Sequence, residues 1–233
     1  MDLQAIKAAS RNDLSTCAGA AARNVLGLLR DAEALAGLGS AARAYSLAAL
    51  AVEECGKAVC LVALAVLPKS LRTRAPVGRM LEWHQLKQVG GLLVAAVPID
   101  PPGLAAKLAA MPATEATQIL STLSAPAEEA DRLKRRGLYV DMDHTGQICE
   151  PSQITEAELA SQLERARQAA ASAALMLGPV AQARIANPPA EVTDLASALV
   201  NALIQAGNSR TPEAAVEIML DAVGKLRDGL AIT

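Results

Sequence analysis

Residues 40–67, SAARAYSLAALAVEECGKAVCLVALAVL, decide the fold, because they read as one long apolar helix carrying a single polar stripe. Alanine, leucine and valine fill most positions, and Arg43, Ser46, Glu53, Glu54 and Lys57 are the clear polar exceptions. At about 100° per residue, these five fall within an arc of roughly 100°. A helix that is apolar on its other faces is normally enclosed by neighbours. Its charged stripe must then meet partner charges inside a bundle or line a cleft, since unpaired buried charge is strongly destabilising. Gly56 sharpens the expectation. Alanine is the default filler here, and glycine in its place costs about 1 kcal/mol of helix propensity. Something therefore approaches the backbone closely between Glu54 and Lys57; a tightly packed crossing helix is the plain reading and a ligand the other.

The whole chain agrees with such a helix. Its 233 residues are 52% hydrophobic yet 1% aromatic, with no phenylalanine, so the core must be alanine, leucine and valine in closely packed helices. The length suits one large helical domain, or one domain with an appendage. A net charge of −2 argues against a general nucleic-acid coat but leaves a local basic patch open. Cys17, Cys55, Cys60 and Cys149 show no metal-ligand spacing, and Cys55 and Cys60 diverge by about 140° on one helix, too far round to bridge. Reduced thiols in a cytosolic protein are expected. No secretory leader is read at the N-terminus. A membrane span over 41–67 would place Glu53, Glu54 and Lys57 near the bilayer centre, and Ala58 to Leu67 is too short to cross alone. No membrane is expected.

Outward from this helix the pattern stays helical. Residues 12–37 form a helix opened by Asn12 or Asp13 and closed near Gly37 and Gly39. The central helix runs from Ser40 to Pro68. A basic connection, PKSLRTRAPVGR, leads to a third helix near 77–96 that carries Trp83, His84 and Lys87. Short helices follow near 102–111 and 113–123, and a charged one from Ser124 to Arg136, where Glu128 faces Arg132 and Asp131 faces Arg135. Residues 137–150, GLYVDMDHTGQICE, then alternate in the manner of a strand and predict a short β-hairpin near 138–149, turning at His144-Thr145-Gly146. Thr155 and Glu158 make a capping box for a long helix to about Leu177. Asn187-Pro188-Pro189 reads as a linker to two amphipathic helices, 190–206 and 212–228, the second opened by Thr211 and Pro212.

Three short words in this order resemble the motif series of AbiV-type abortive infection proteins, a branch of the HEPN superfamily. They are Glu53-Glu54-Cys55-Gly56-Lys57, His84-x-x-Lys87, and Arg136-Gly137-Leu138-Tyr139-Val140-Asp141. The resemblance covers roughly residues 12–180. It implies a cytoplasmic, all-α HEPN-like bundle acting in bacterial defence against phage, by arresting growth or blocking phage protein synthesis. HEPN relatives are often metal-independent endoribonucleases that act as dimers, with an Arg, four to six residues, then a His. Arg79-Met80-Leu81-Glu82-Trp83-His84 has that spacing, although Met80 stands where a polar residue is usual. On a regular helix Arg79 and His84 also diverge by about 140°. In a nuclease, His84 would serve as acid or base at a ribose 2′-hydroxyl, with Arg79 or Arg136 holding phosphate charge.

Each candidate also has a structural reading. His84 and Lys87, one turn apart, are more simply partners for Glu53 and Glu54 in a buried polar network. Arg136 and Asp141 read as anchors of the hairpin, with Asp141 pairing to Arg43 or Lys57. Tyr139 reads as a packed ring with a satisfied hydroxyl. The Arg132, Lys134, Arg135, Arg136 run reads as a solvated helix end, and with Lys69, Arg72, Arg74 and Arg79 as an RNA-facing patch. Glu53, Glu54, His84, Asp141, Asp143 and His144 are suitable metal-ligand types, but the Glu-x-x-His pairs of di-iron bundles are absent. No metal and no cofactor is expected. The expectation is therefore an all-α HEPN-like domain over 1–186 with a hairpin insertion, followed by a helical extension over 187–233. It would act as a homodimer, binding RNA or a translation-related or phage protein around Arg43, Glu53, Glu54, Lys57, His84, Lys87, Tyr139 and Asp141.

Overall fold

The computed structural model describes residues 3–72, 87–88, 91–92, 126–127, 129–135, 137–138, 141–142, 145–146, 148–149, 154–190, 193 and 197. These are predominantly helical. The elements are α1 (Leu3–Ala8), α2 (Arg11–Gly37), α3 (Ala41–Val66), α4 (Lys69–Arg72), β1 (Asp141–Met142), β2 (Ile148–Cys149), α5 (Glu156–Leu177) and α6 (Pro179–Ala186). Helical residues also occur at 87–88, 91–92, 126–127, 129–135 and 137–138.

Local signals set most of the boundaries. The cap of α2 is Ser10 rather than Asn12 or Asp13: its hydroxyl accepts from the Asp13 amide at 3.1 Å, and the Asp13 carboxylate accepts from the Ser10 amide at 3.0 Å. Asp13 is thus the reciprocal partner in a capping box, one turn inside the helix. Gly39, at φ 75°, turns the chain from α2 into α3, a conformation that glycine adopts without steric cost. α3 stops just before Pro68, whose ring disfavours helical backbone in the residue before it. α5 opens with the expected box, Thr155 and Glu158 satisfying each other's backbone amides.

α2, α3 and α5 each pack against the other two. Their shared core is built of small side chains: Ala22 and Val25 from α2, Ala48, Ala51, Val52 and Cys55 from α3, Ala166, Ala169 and Ala173 from α5, all fully buried. Alanine faces let helix axes come close, so dense packing is reached without phenylalanine. α6 is an element the sequence pattern did not signal; it leaves α5 at a bend of 65°. Ser15 donates to Gln182 at 3.1 Å, Gln182 donates to the Met176 carbonyl at 2.7 Å, and Ile185 is buried beneath. Arg11 ties the ends of two helices by donating to the carbonyls of Ala65 and Ala186.

The hairpin expected over 138–149 needs correction at its start. Gly137 and Leu138 are still helical, because the helix that carries Lys134 is docked on α3 beyond Arg135. The described strand residues are two antiparallel pairs, Asp141 opposite Cys149 and Met142 opposite Ile148. Gly146, at φ 82°, lies between them. Ala190, Thr193 and Ser197 are helical, and the rest of the expected C-terminal pair lies outside the described residues. Among the described residues, no single helix is long and apolar enough to cross a membrane.

Candidate functional site

The polar stripe of α3 divides once neighbours are added. Ser46 and Glu53 are buried, Glu54 and Lys57 are half-buried, and Arg43, in the first turn, is exposed. Burial of Glu53 is matched by charge. Its Oε1 meets Lys87 Nζ at 2.8 Å and its Oε2 meets Lys134 Nζ at 2.9 Å. Lys134 also reaches Asp131 at 2.8 Å, and Asp131 reaches Arg135 at 3.4 Å. Glu54 and Lys57 pair with each other at 3.0 Å across one turn. Two carboxylates and two ammonium groups therefore balance at the centre, as buried charge requires.

The electrostatics follow from that geometry. Burial pushes the Glu53 carboxyl up, but hydrogen bonds and positive charge from Lys134 and Lys87 outweigh it and hold the group below its ordinary value. Burial likewise pulls Lys134 down, and Asp131 with Glu53 more than restores it, leaving its pKa raised. Both groups stay charged at neutral pH. Glu53, with each oxygen on an ammonium, is a structural anion and not a free base.

Glycine explains how three segments come so close. A Cβ at Gly56 would overlap the backbone carbonyl of Lys87, one at Gly91 the carbonyl of Val52, and one at Gly137 both Ser46 Oγ and the Ala42 carbonyl. The close approach expected at Gly56 is that of a crossing helical segment. Gln88, fully buried beside it, donates to the Ala49 carbonyl at 3.1 Å.

Lys134 is the residue that sequence reasoning misplaced. Expected at a solvated helix end, it is buried and completes the Glu53 site. The signal was present in its helical stripe: Ala127, Ala130, Lys134 and Gly137 recur at three- and four-residue steps, and all four are buried. Asp131 does face Arg135 as expected, and Arg132 pairs with Glu129 at 2.6 Å; Glu128, its expected partner, lies outside the described residues.

A second feature went unsignalled. Tyr45, Glu129, Leu133, Ala157, Glu158, Ser161 and Arg165 line a cleft of about 320 Å3 between the helical residues 129–133 and the first turns of α5. Burial pushes the Tyr45 phenol up to about 12, so it remains a protonated hydroxyl at neutral pH. Cys55 and Cys60 are buried thiols, their pKa values pushed by burial to about 12 and about 11.

His84, Arg79, Arg136 and Tyr139 lie outside the described residues, as does the side chain of Asp141, whose backbone belongs to β1. Its expected pairing with Arg43 or Lys57 lies outside them too. Among the described residues, no three His, Cys, Asp or Glu side chains gather as metal ligands would; His84, Asp143 and His144 are not among those residues.

Against known proteins, the chain matches the family model HEPN_AbiV, described as AbiV, over residues 13–171. No curated protein and no solved structure matches it.

Proposed function

The chain belongs to the AbiV-type HEPN family, and from that premise we propose that it is an anti-phage protein of the abortive-infection kind. In this reading it arrests growth or phage protein synthesis by binding RNA or a partner protein around the Glu53/Glu54/Lys57/His84 site. It acts as a cytoplasmic homodimer. The observation that supports the binding reading is the occupancy of Glu53: both oxygens are held by ammonium groups from two other segments, inside the protein, as the anchor of a polar network would be. A group so held keeps a surface in shape and does not exchange protons with a substrate.

The test combines cells and purified protein. Cells producing the wild type should yield fewer plaques than cells producing none. The purified protein, incubated with total RNA in EDTA, should leave the RNA intact. His84→Ala should melt at lower temperature and lose protection together. RNA cleaved in EDTA by the wild type but not by a normally melting His84→Ala would overturn the reading, in favour of a ribonuclease using His84 with Arg79 or Arg136.

A further inference from the structure

Lys134 is gripped at both of its ends by one helix. Its backbone carbonyl accepts a hydrogen bond from Ser46 Oγ at 3.0 Å, and its ammonium reaches Glu53 at 2.9 Å. Ser46 and Glu53 are two turns apart on α3, about 10 Å along the axis. Three residues later Gly137 rests on the Ala42 carbonyl and Ser46 Oγ, with no room for a Cβ. These contacts spread over about three turns of α3, from Ala42 to Glu53. They fix the height, as well as the face, at which the Lys134 helix docks. Immediately beyond, Leu138 is 42% exposed and the chain enters β1.

The geometry points to Lys134 as a positioning residue, a strut laid along α3 that sets where the Gly137–Leu138 helix end and β1 stand. The strut rests on the binding reading above, because the segment it places carries the family motif Arg136 to Asp141.

Charge balance makes this role separable from folding. Removing the Lys134 ammonium leaves Glu53 paired with Lys87 and Asp131 paired with Arg135. No buried carboxylate is orphaned, so Lys134→Met, similar in length, should still fold. Ser46→Ala removes the other grip while leaving every charge in place. Amide hydrogen exchange on the full chain is the direct test. In each variant, exchange at Leu138, Asp141 and Met142 should accelerate at least tenfold, while Val25 and Val52 in the core exchange as in the wild type. Plaque protection should fall at least tenfold in Lys134→Met, with Lys134→Arg recovering part of it.

Exchange at 138–142 unchanged in a folded variant would overturn the strut, as would uniform acceleration through the core. If Lys134→Met does not fold, Ser46→Ala decides alone by the same local contrast. A wild type that gives no protection sinks the defence reading, and the exchange result still stands for or against the strut.

Discussion

At the scale of single residues, Glu53 is the group whose loss should be felt most. Replacing it with glutamine leaves two buried ammonium groups facing a neutral amide. Breaking a buried pair in this way typically costs about 3–5 kcal/mol. Urea unfolding of Glu53→Gln should show that loss, whereas Glu54→Gln, in a half-buried pair open to solvent screening, should change stability by less than about 1 kcal/mol. The thiols offer a second check. Cys55 and Cys60 are buried with raised pKa values, so native protein should leave both unmodified by iodoacetamide at neutral pH, and urea should expose both. Peptide mapping of the alkylated protein reads the result. The inward turn of Glu53 was legible because a charged stripe on an otherwise alanine–leucine–valine helix has few other places to go. Lys134 was hidden by its own neighbours: flanked by Leu133 and two arginines, it resembled every solvated basic helix end.

At the scale of elements, the glycines carry opposite expectations that one experiment can compare. Gly27 lies inside α2 with nothing within 4 Å of an added Cβ. Gly27→Ala should therefore stabilise the chain by roughly 0.5–1 kcal/mol through helix propensity. Gly56→Ala gains the same propensity but drives a methyl into the Lys87 carbonyl, and overpacking of this kind costs about 1–3 kcal/mol or more. Paired denaturation curves should move in opposite directions; a Gly56→Ala curve at or above wild type would contradict the close crossing. α3, α5 and the end of α2 were readable from periodicity and caps. The start of the expected hairpin was not, because Leu138, Val140 and Met142 fit a period of two, while Gly137 and Leu138 obey the docking of their helix on α3. α6 escaped because eight residues give too little periodicity to distinguish a short helix from the linker that follows.

At the scale of the whole molecule, the buried network ties stability to pH on both sides. Glu53 has its pKa depressed from the ordinary 4.5, so its contribution is present above that value and is lost as pH falls through the folded value. Lys134 has its pKa raised from the ordinary 10.5, so its contribution is complete below that value and is lost as pH rises through the folded one. Thermal melts should show a plateau across neutral pH with an acid limb below about 4.5, and Glu53→Gln should flatten that limb. An acid limb identical in the variant would place the sensitivity elsewhere. The family match ends at residue 171, inside α5.

The distances in sequence between Glu53 and its two lysines impose an order of assembly. α2 and α3 are complete as soon as residue 66 has left the ribosome, and their alanine faces can join at once. Glu53 must wait for Lys87, and then for Lys134, which lies 81 residues after Glu53 itself. Through that interval the nascent protein holds a carboxylate whose set of lysine partners is incomplete, and no product truncated before residue 134 can complete the centre.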